Sequence, residues 1–184
     1  MLFRSDGMFV PNKTFDHNKI RELRPLTVIP FDTHLMINEP VKFVKDYIDA
    51  GSDIITVHAE VCDASSFGII HDALKANQVG VGLAINPDTE FPEWTLPFIS
   101  KLDQIIVMSV VPGKSGQKYI ESTHEKMQKL NQILTQHNFD GYIEADGGVT
   151  LDNIGACFMD GARAFVGGSA IIGQRSEEHT SELQ

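Results

Sequence analysis

Apolar residues in this chain fall into short continuous runs, separated by stretches in which they recur every three or four positions. Ile54-Ile55-Thr56-Val57, Ile105-Ile106-Val107-Met108 and Tyr142-Ile143-Glu144-Ala145 are of the first kind and predict buried strands. Val41, Phe43, Val44, Tyr47 and Ile48, opened by Pro40 and closed by Ala50-Gly51, keep a helical period. In chain order the pattern predicts a loop at Phe9-Val10-Pro11-Asn12, a short helix over 18–23, a strand over 27–36 and a helix from Pro40. A strand over 53–58, a helix over 65–76, a strand over 79–85 and a helix over 93–100 follow. A strand over 102–109, a long helix over 118–137, a strand over 141–145, a helix over 150–160 ended by Gly161 and a last strand over 163–166 complete the pattern.

Strands that are continuous apolar runs joined by helices predict an α/β fold, a parallel sheet covered by helices. The steady alternation, with glycine-rich ends after the last two strands, favours a (β/α) barrel, in which those two loops commonly bind phosphate. A whole (β/α)8 barrel has eight strands in roughly 250 residues. The expectation is therefore an incomplete barrel, with its first strand and helix, most of its second strand and most of its last helix missing.

Polar chemistry gathers where strands stop. Tyr142-Ile143-Glu144-Ala145-Asp146 ends in a carboxylate followed by Gly147-Gly148, glycines that let backbone N–H groups approach a ligand, and Thr150 or Asp152 is placed to cap the next helix. Phe31-Asp32-Thr33-His34-Leu35-Met36, the run into Pro112-Gly113-Lys114-Ser115-Gly116, and Ala164-Phe165-Val166-Gly167-Gly168-Ser169 are punctuated in the same way.

With 184 residues, 42% hydrophobic and 22% charged, the chain is one globular domain. A formal net charge of -10 without a basic stripe argues against nucleic acid or an anionic membrane as partner and points to a small soluble one. No run is long enough to span a membrane and no basic-then-apolar leader opens the chain, so a cytoplasmic location is expected. Cys62 and Cys157, in no CxxC arrangement, read as reduced packing residues.

Residues 1–5 and 175–184 look foreign. Arg175-Ser176-Glu177-Glu178-His179-Thr180-Ser181-Glu182-Leu183-Gln184 is the in-frame translation of a common sequencing adapter, agatcggaagagcacacgtctgaactccag. The reverse complement of that adapter's start, gtgctcttccgatct, reads Met1-Leu2-Phe3-Arg4-Ser5 from a gtg start codon. Residues 6–174 are then the natural barrel portion.

Within that portion Asp6-Gly7-Met8-Phe9-Val10-Pro11-Asn12, Phe31-Asp32-Thr33-His34-Leu35-Met36, Val57-His58-Ala59-Glu60, Asn86-Pro87-Asp88-Thr89, Val107-Met108-Ser109-Val110 with Pro112-Gly113 and Gly116-Gln117, Glu144-Ala145-Asp146-Gly147-Gly148 and Gly168-Ser169-Ala170 recur in register. The chain in this respect resembles the ribulose-phosphate 3-epimerases. The resemblance implies a TIM barrel of the ribulose-phosphate-binding type. It also implies an enzyme, active as a homo-oligomer, that interconverts D-ribulose 5-phosphate and D-xylulose 5-phosphate in the pentose phosphate pathway by two-base proton transfer at C3. The enediolate left when that proton departs needs charge stabilisation, which one divalent ion (zinc, iron, manganese or cobalt) supplies in the family. Carried over, Asp146 is one acid/base and a metal ligand, and His34 is a second ligand. The family's other His and Asp fall at Met1 and Phe3, so half of the shell is absent here. Gly113, Lys114, Ser115, Gly116, Gly147, Gly148, Gly168 and Ser169, with His34 and Asp146, would hold the phosphosugar, and Met36 and Met108 would line the pocket. Lys114 and Ser115 depart from the family's usual Gly-Phe-Gly-Gly loop.

Blander readings stand beside these. His34 alone would pass for a satisfied core histidine, Asp146 for a helix cap, and Met36 and Met108 for core fillers. His58 is read as structural. A nucleotide-binding P-loop at Gly113-Lys114-Ser115 fails because Met108 stands where that motif needs glycine. The alternatives in function are a hexulose-6-phosphate 3-epimerase and a phosphosugar-binding barrel without catalysis. The decarboxylase and aldolase group is set aside because no Asp-x-Lys-x-x-Asp strand end occurs.

Overall fold

The computed structural model describes residues 1–5, 7, 9, 10, 14, 16–113 and 116–171, leaving aside the side chains of residues 3–5, 169 and 171. The predicted tail over 175–184 lies outside the described residues. Among those described, seven parallel strands form one sheet in chain order: β1 (Leu2–Ser5), β2 (Asp32–Met36), β3 (Ile54–His58), β4 (Gly80–Ile85), β5 (Gln104–Met108), β6 (Tyr142–Asp146) and β7 (Ala162–Val166). The six strands read from the sequence are all present. The seventh, β1, covers the residues read as foreign and pairs in parallel with β2, Phe3 opposite His34.

Helices cross between strands: α1 (His17–Leu23), α2 (Pro40–Ala50), α3 (Ala64–Ala76), α4 (Thr123–Gln136), α5 (Ile154–Met159) and α6 (Gly168–Ile171). Their ends follow local chemistry. Gly51 stops α2 at φ +96°, a left-handed conformation that suits glycine, and Asp63 with Ser66 forms a reciprocal capping box on α3. The stretch predicted as a helix over 93–100 is a 3-10 helix, Glu93–Lys101, because Pro97 inside it has no N–H to donate.

Two predicted boundaries move. The strand expected over 27–36 begins at Asp32, because the Arg24 guanidinium draws in the Thr27 and Ile29 carbonyls at 2.8 Å each and Pro30 has no ladder donor. The helix expected over 118–137 begins at Thr123, because the Ile120 amide donates to Ser109 O at 2.9 Å and keeps that segment on the end of β5. Neither Thr150 nor Asp152 caps α5. Asn153 stands at its N-cap position, its side chain accepting from the Thr150 amide and donating to Gly148 O.

Alternation along the strands sorts the core into two faces. Leu35, Ile55, Val57, Leu83, Ile105 and Val107 pack outward with Tyr47, Phe67, Leu74, Met127 and Leu130 of the helices. On the inward face Val10, Met36, Ala84, Ile106, Met108 and Val110 form a separate apolar cluster. The sheet is strongly curled. Strands sit about 4.8 Å apart, so β2 and β6, four steps apart, would be separated by roughly 19 Å in a flat sheet. Instead His34 of β2 and Asp146 of β6 bring side-chain atoms to 3.5 Å. The fold is an incomplete (β/α) barrel whose lumen is the inward face.

Candidate active site

Parity along β2 and β6 puts Asp32, His34, Glu144 and Asp146 into the lumen. All four are missing from the outward apolar cluster, and His34 is fully buried while Asp146 is 4% exposed. His34 Nδ1 faces Asp146 Oδ2 at 3.5 Å, and that oxygen accepts no hydrogen bond among the described residues. The other edge of His34 meets His58 of β3, Nε2 to Nε2 at 2.8 Å, with the rings stacked. His58 Nδ1 in turn lies 3.1 Å from Glu60 Oε2, and Glu60 Oε1 accepts the Asn86 amide at 2.7 Å. Burial, the largest influence, pushes the His58 pKa down to about 4, so this imidazole is neutral at ordinary pH.

Deeper in the lumen a second polar layer closes across the curl. Tyr142 donates its hydroxyl to Gln104 Oε1 at 2.5 Å, and Gln104 Nε2 reaches Thr56 Oγ1 at 2.7 Å and Asp32 Oδ1 at 3.0 Å. Gly82 makes room for this bridge, since a Cβ there would sit 1.9 Å from Thr56 Oγ1. Burial, then the charges of Asp32 and Asp146, raises the Glu144 carboxyl to about 8, and burial raises Asp32 as well. None of Asp32, Glu144, Gln104 or Tyr142 was singled out for chemistry from the sequence. The available signal was parity: Asp32 and Glu144 each stand two residues before a site residue on the same strand.

The loops above the lumen are drawn together by backbone. Ser109 donates its amide to Asp146 O at 2.8 Å and its hydroxyl to Gly147 O at 2.6 Å. Gly147 and Gly148 take φ of +113° and +64°, and a Cβ on Gly148 would come 2.5 Å from the Tyr119 amide nitrogen, so both positions require glycine. Gly113, at φ +98°, lies against Val10, and Gly116 is at φ +75° with open space around it. Gly168 opens α6, which contains Ser169. Lys114 and Ser115 lie outside the described residues, as do Asp6, Met8, Pro11 and Asn12 of the first motif. Met36 and Met108 meet in the inward apolar cluster. The helix-cap reading of Asp146 does not apply, because α5 starts at Ile154 and Asp146 offers it no cap.

In kind, an imidazole nitrogen and an unbonded carboxylate oxygen converging on one point suit a divalent cation. Among the described residues no group of three or more His, Cys, Asp or Glu could hold a metal ion, so this pair offers two donors, and Met1 and Phe3, where the resemblance expects the other two, carry neither imidazole nor carboxylate. No helix among the described residues is long and apolar enough to cross a membrane.

Comparison with known proteins bears on the fold and on the family. The fold is shared with a mutant tryptophan synthase alpha-subunit of the hyperthermophile Pyrococcus furiosus, at TM-score 0.60 and 17% identity over 91% of this chain and 68% of that one. The HMG-CoA lyase of Brucella melitensis matches at TM-score 0.55 and 11% identity, over 89% and 64% of the two chains. In sequence, the chain is 40% identical to a ribulose-phosphate 3-epimerase of Synechocystis, over 91% of this chain and 72% of that protein. It is 38% identical to the chloroplastic ribulose-5-phosphate-3-epimerase of Arabidopsis thaliana (92% and 60%) and 36% identical to the ribulose-phosphate 3-epimerase of Bacillus subtilis (92% and 77%). The chain thus spans between 60% and 77% of the length of these relatives. With residues 4–172 matching the family model as well, the chain belongs to the ribulose-phosphate 3 epimerase family.

Proposed function

We propose that the protein to which this chain belongs epimerises D-ribulose 5-phosphate to D-xylulose 5-phosphate at C3, with one divalent ion, as a cytoplasmic homo-oligomer of the pentose phosphate pathway. The observation that carries the reading is Asp146 Oδ2: buried, without a hydrogen bond, opposite His34 Nδ1, at the mouth of a lumen closed by glycine loops. A carboxylate so placed is free to take or return the C3 proton on one face of the sugar. A bound divalent ion, held by His34, Asp146 and two ligands from the segment where Met1 and Phe3 now stand, would offset the negative charge that develops on the substrate oxygens. Met36, Met108, Ile106 and Val110 keep water from the reacting carbon, and the backbone amides around Gly147, Gly148 and Gly168 face the phosphate.

The test uses an enzyme with the upstream strands restored. Asp146→Asn keeps size and one oxygen but removes the titratable group, so epimerisation should fall by at least the roughly 10²–10⁴-fold worth of a positioned acid/base. In deuterated water the base on the other face should still exchange the C3 proton of one epimer and scarcely that of the other. Metal content is measured alongside. Near wild-type epimerisation by a metal-loaded variant would remove Asp146 from the mechanism.

A further inference from the structure

His34 and His58 form a chain with a carboxylate at each end: Glu60 Oε2 at 3.1 Å from His58 Nδ1, and Asp146 Oδ2 at 3.5 Å from His34 Nδ1. The link between them, Nε2 to Nε2 at 2.8 Å, needs one N–H and one lone pair. For two neutral imidazoles this leaves two arrangements. Either His58 gives its Nδ1–H to Glu60 and accepts from His34 Nε2–H, baring His34 Nδ1 toward Asp146, or every proton sits on the opposite nitrogen and His34 Nδ1–H points at Asp146.

We infer that Glu60 is a positioning residue which, through His58, fixes His34 as the Nε2–H tautomer and turns a bare Nδ1 toward Asp146. Three observations favour this arrangement. The Glu60 end has the shorter contact. Glu60 is itself held in place, its second oxygen taking the Asn86 amide. The His58 ring is fully buried with Phe9 packed at 4.6 Å, so it is shielded from solvent. Protons change places but not number, and the outcome is an imidazole lone pair beside a carboxylate oxygen, which is what a cation needs. His34's role as a ligand belongs to the proposed function above, whereas its tautomer is observable without metal or substrate.

The test is nitrogen-15 NMR of the histidine side chains of the full chain, metal-free, at a pH well above the ordinary imidazole range. In the wild type His34 should show a protonated Nε2 and a bare Nδ1, and His58 the reverse. Glu60→Leu removes the anchoring acceptor, so both tautomers should invert, putting a proton on His34 Nδ1, two links from the substitution. A structural role alone would leave His34 unchanged. Protonated Nδ1 on wild-type His34, or a His34 indifferent to Glu60→Leu in a folded variant, overturns the assignment. If the variant does not fold, the wild-type tautomers decide it. With the tautomers as stated, absence of epimerase activity in a restored enzyme would count against the proposed function and not against the relay.

Discussion

Burial pushes the Glu60 carboxyl up, but hydrogen bonds from His58 and the Asn86 amide outweigh it and hold the group at about 2, below its ordinary 4.5. A carboxyl depressed in the fold adds stability that is full above the unfolded value and is lost as pH falls through the folded one. Glu60→Gln should therefore lower the urea midpoint at pH 6, and the gap should close between pH 4.5 and 2. An equal gap at pH 6 and pH 3 would show that the charge is not what stabilises. At this scale the sequence was only partly legible. His34 and Asp146 could be named from motifs in register, but His58 read as structural, because its contact with His34 exists only once neighbouring strands are side by side. Gly82 gave no signal at all, since its need for a missing Cβ comes from Thr56 and Gln104 on flanking strands.

Among the elements, α4 does more than cover the sheet. The Lys126 ammonium on its inner side collects the carbonyls of Asn86, Pro87 and Thr89, fastening the loop after β4. Lys126→Met keeps the stem and leaves those acceptors unmatched, which should cost about 1–3 kcal/mol. Denaturant midpoints measure the loss, and faster amide exchange at Thr89 should locate it; unchanged exchange there would mean the loop's own bonds suffice. Apolar period revealed the existence and type of nearly every element, including Pro40 and Gly51 at the ends of α2. What it could not reveal was the ends decided by distant partners: the Arg24 side chain that keeps 27–31 out of β2, and the Ser109 carbonyl that delays α4.

For the whole molecule, continuous apolar strands and helical connections gave a parallel sheet covered by helices, the steady repeat and the glycine-rich ends after the last two strands favoured a barrel, and none of these could say how tightly the sheet would curl. With its sheet order ending at β1 and β7, each has one flank unpaired among the described residues, an invitation to edge pairing between molecules. On the proposed function, which assigns Met1 and Phe3 to two of four metal positions, the 184-residue chain should bind zinc or manganese weakly, associate on concentration and show no turnover of ribulose 5-phosphate. Light scattering, metal titration and an epimerase assay check this together, and a monodisperse, active chain would refute it. A version with the upstream strands restored should lose turnover when stripped of divalent metal and regain it on adding zinc, manganese, iron or cobalt.

The bridge from Gln104 to Asp32 joins residues 72 apart in the chain, and the meeting of His34 with Asp146 spans a longer stretch still. Such contacts appear only after several loops have closed, so they come late in folding and lower its rate. A nascent or partly denatured chain can hold native-like helices and strand pairs while Asp146 has no opposite number. On refolding, then, the far-ultraviolet signal should recover before the chemical shifts of His34 do.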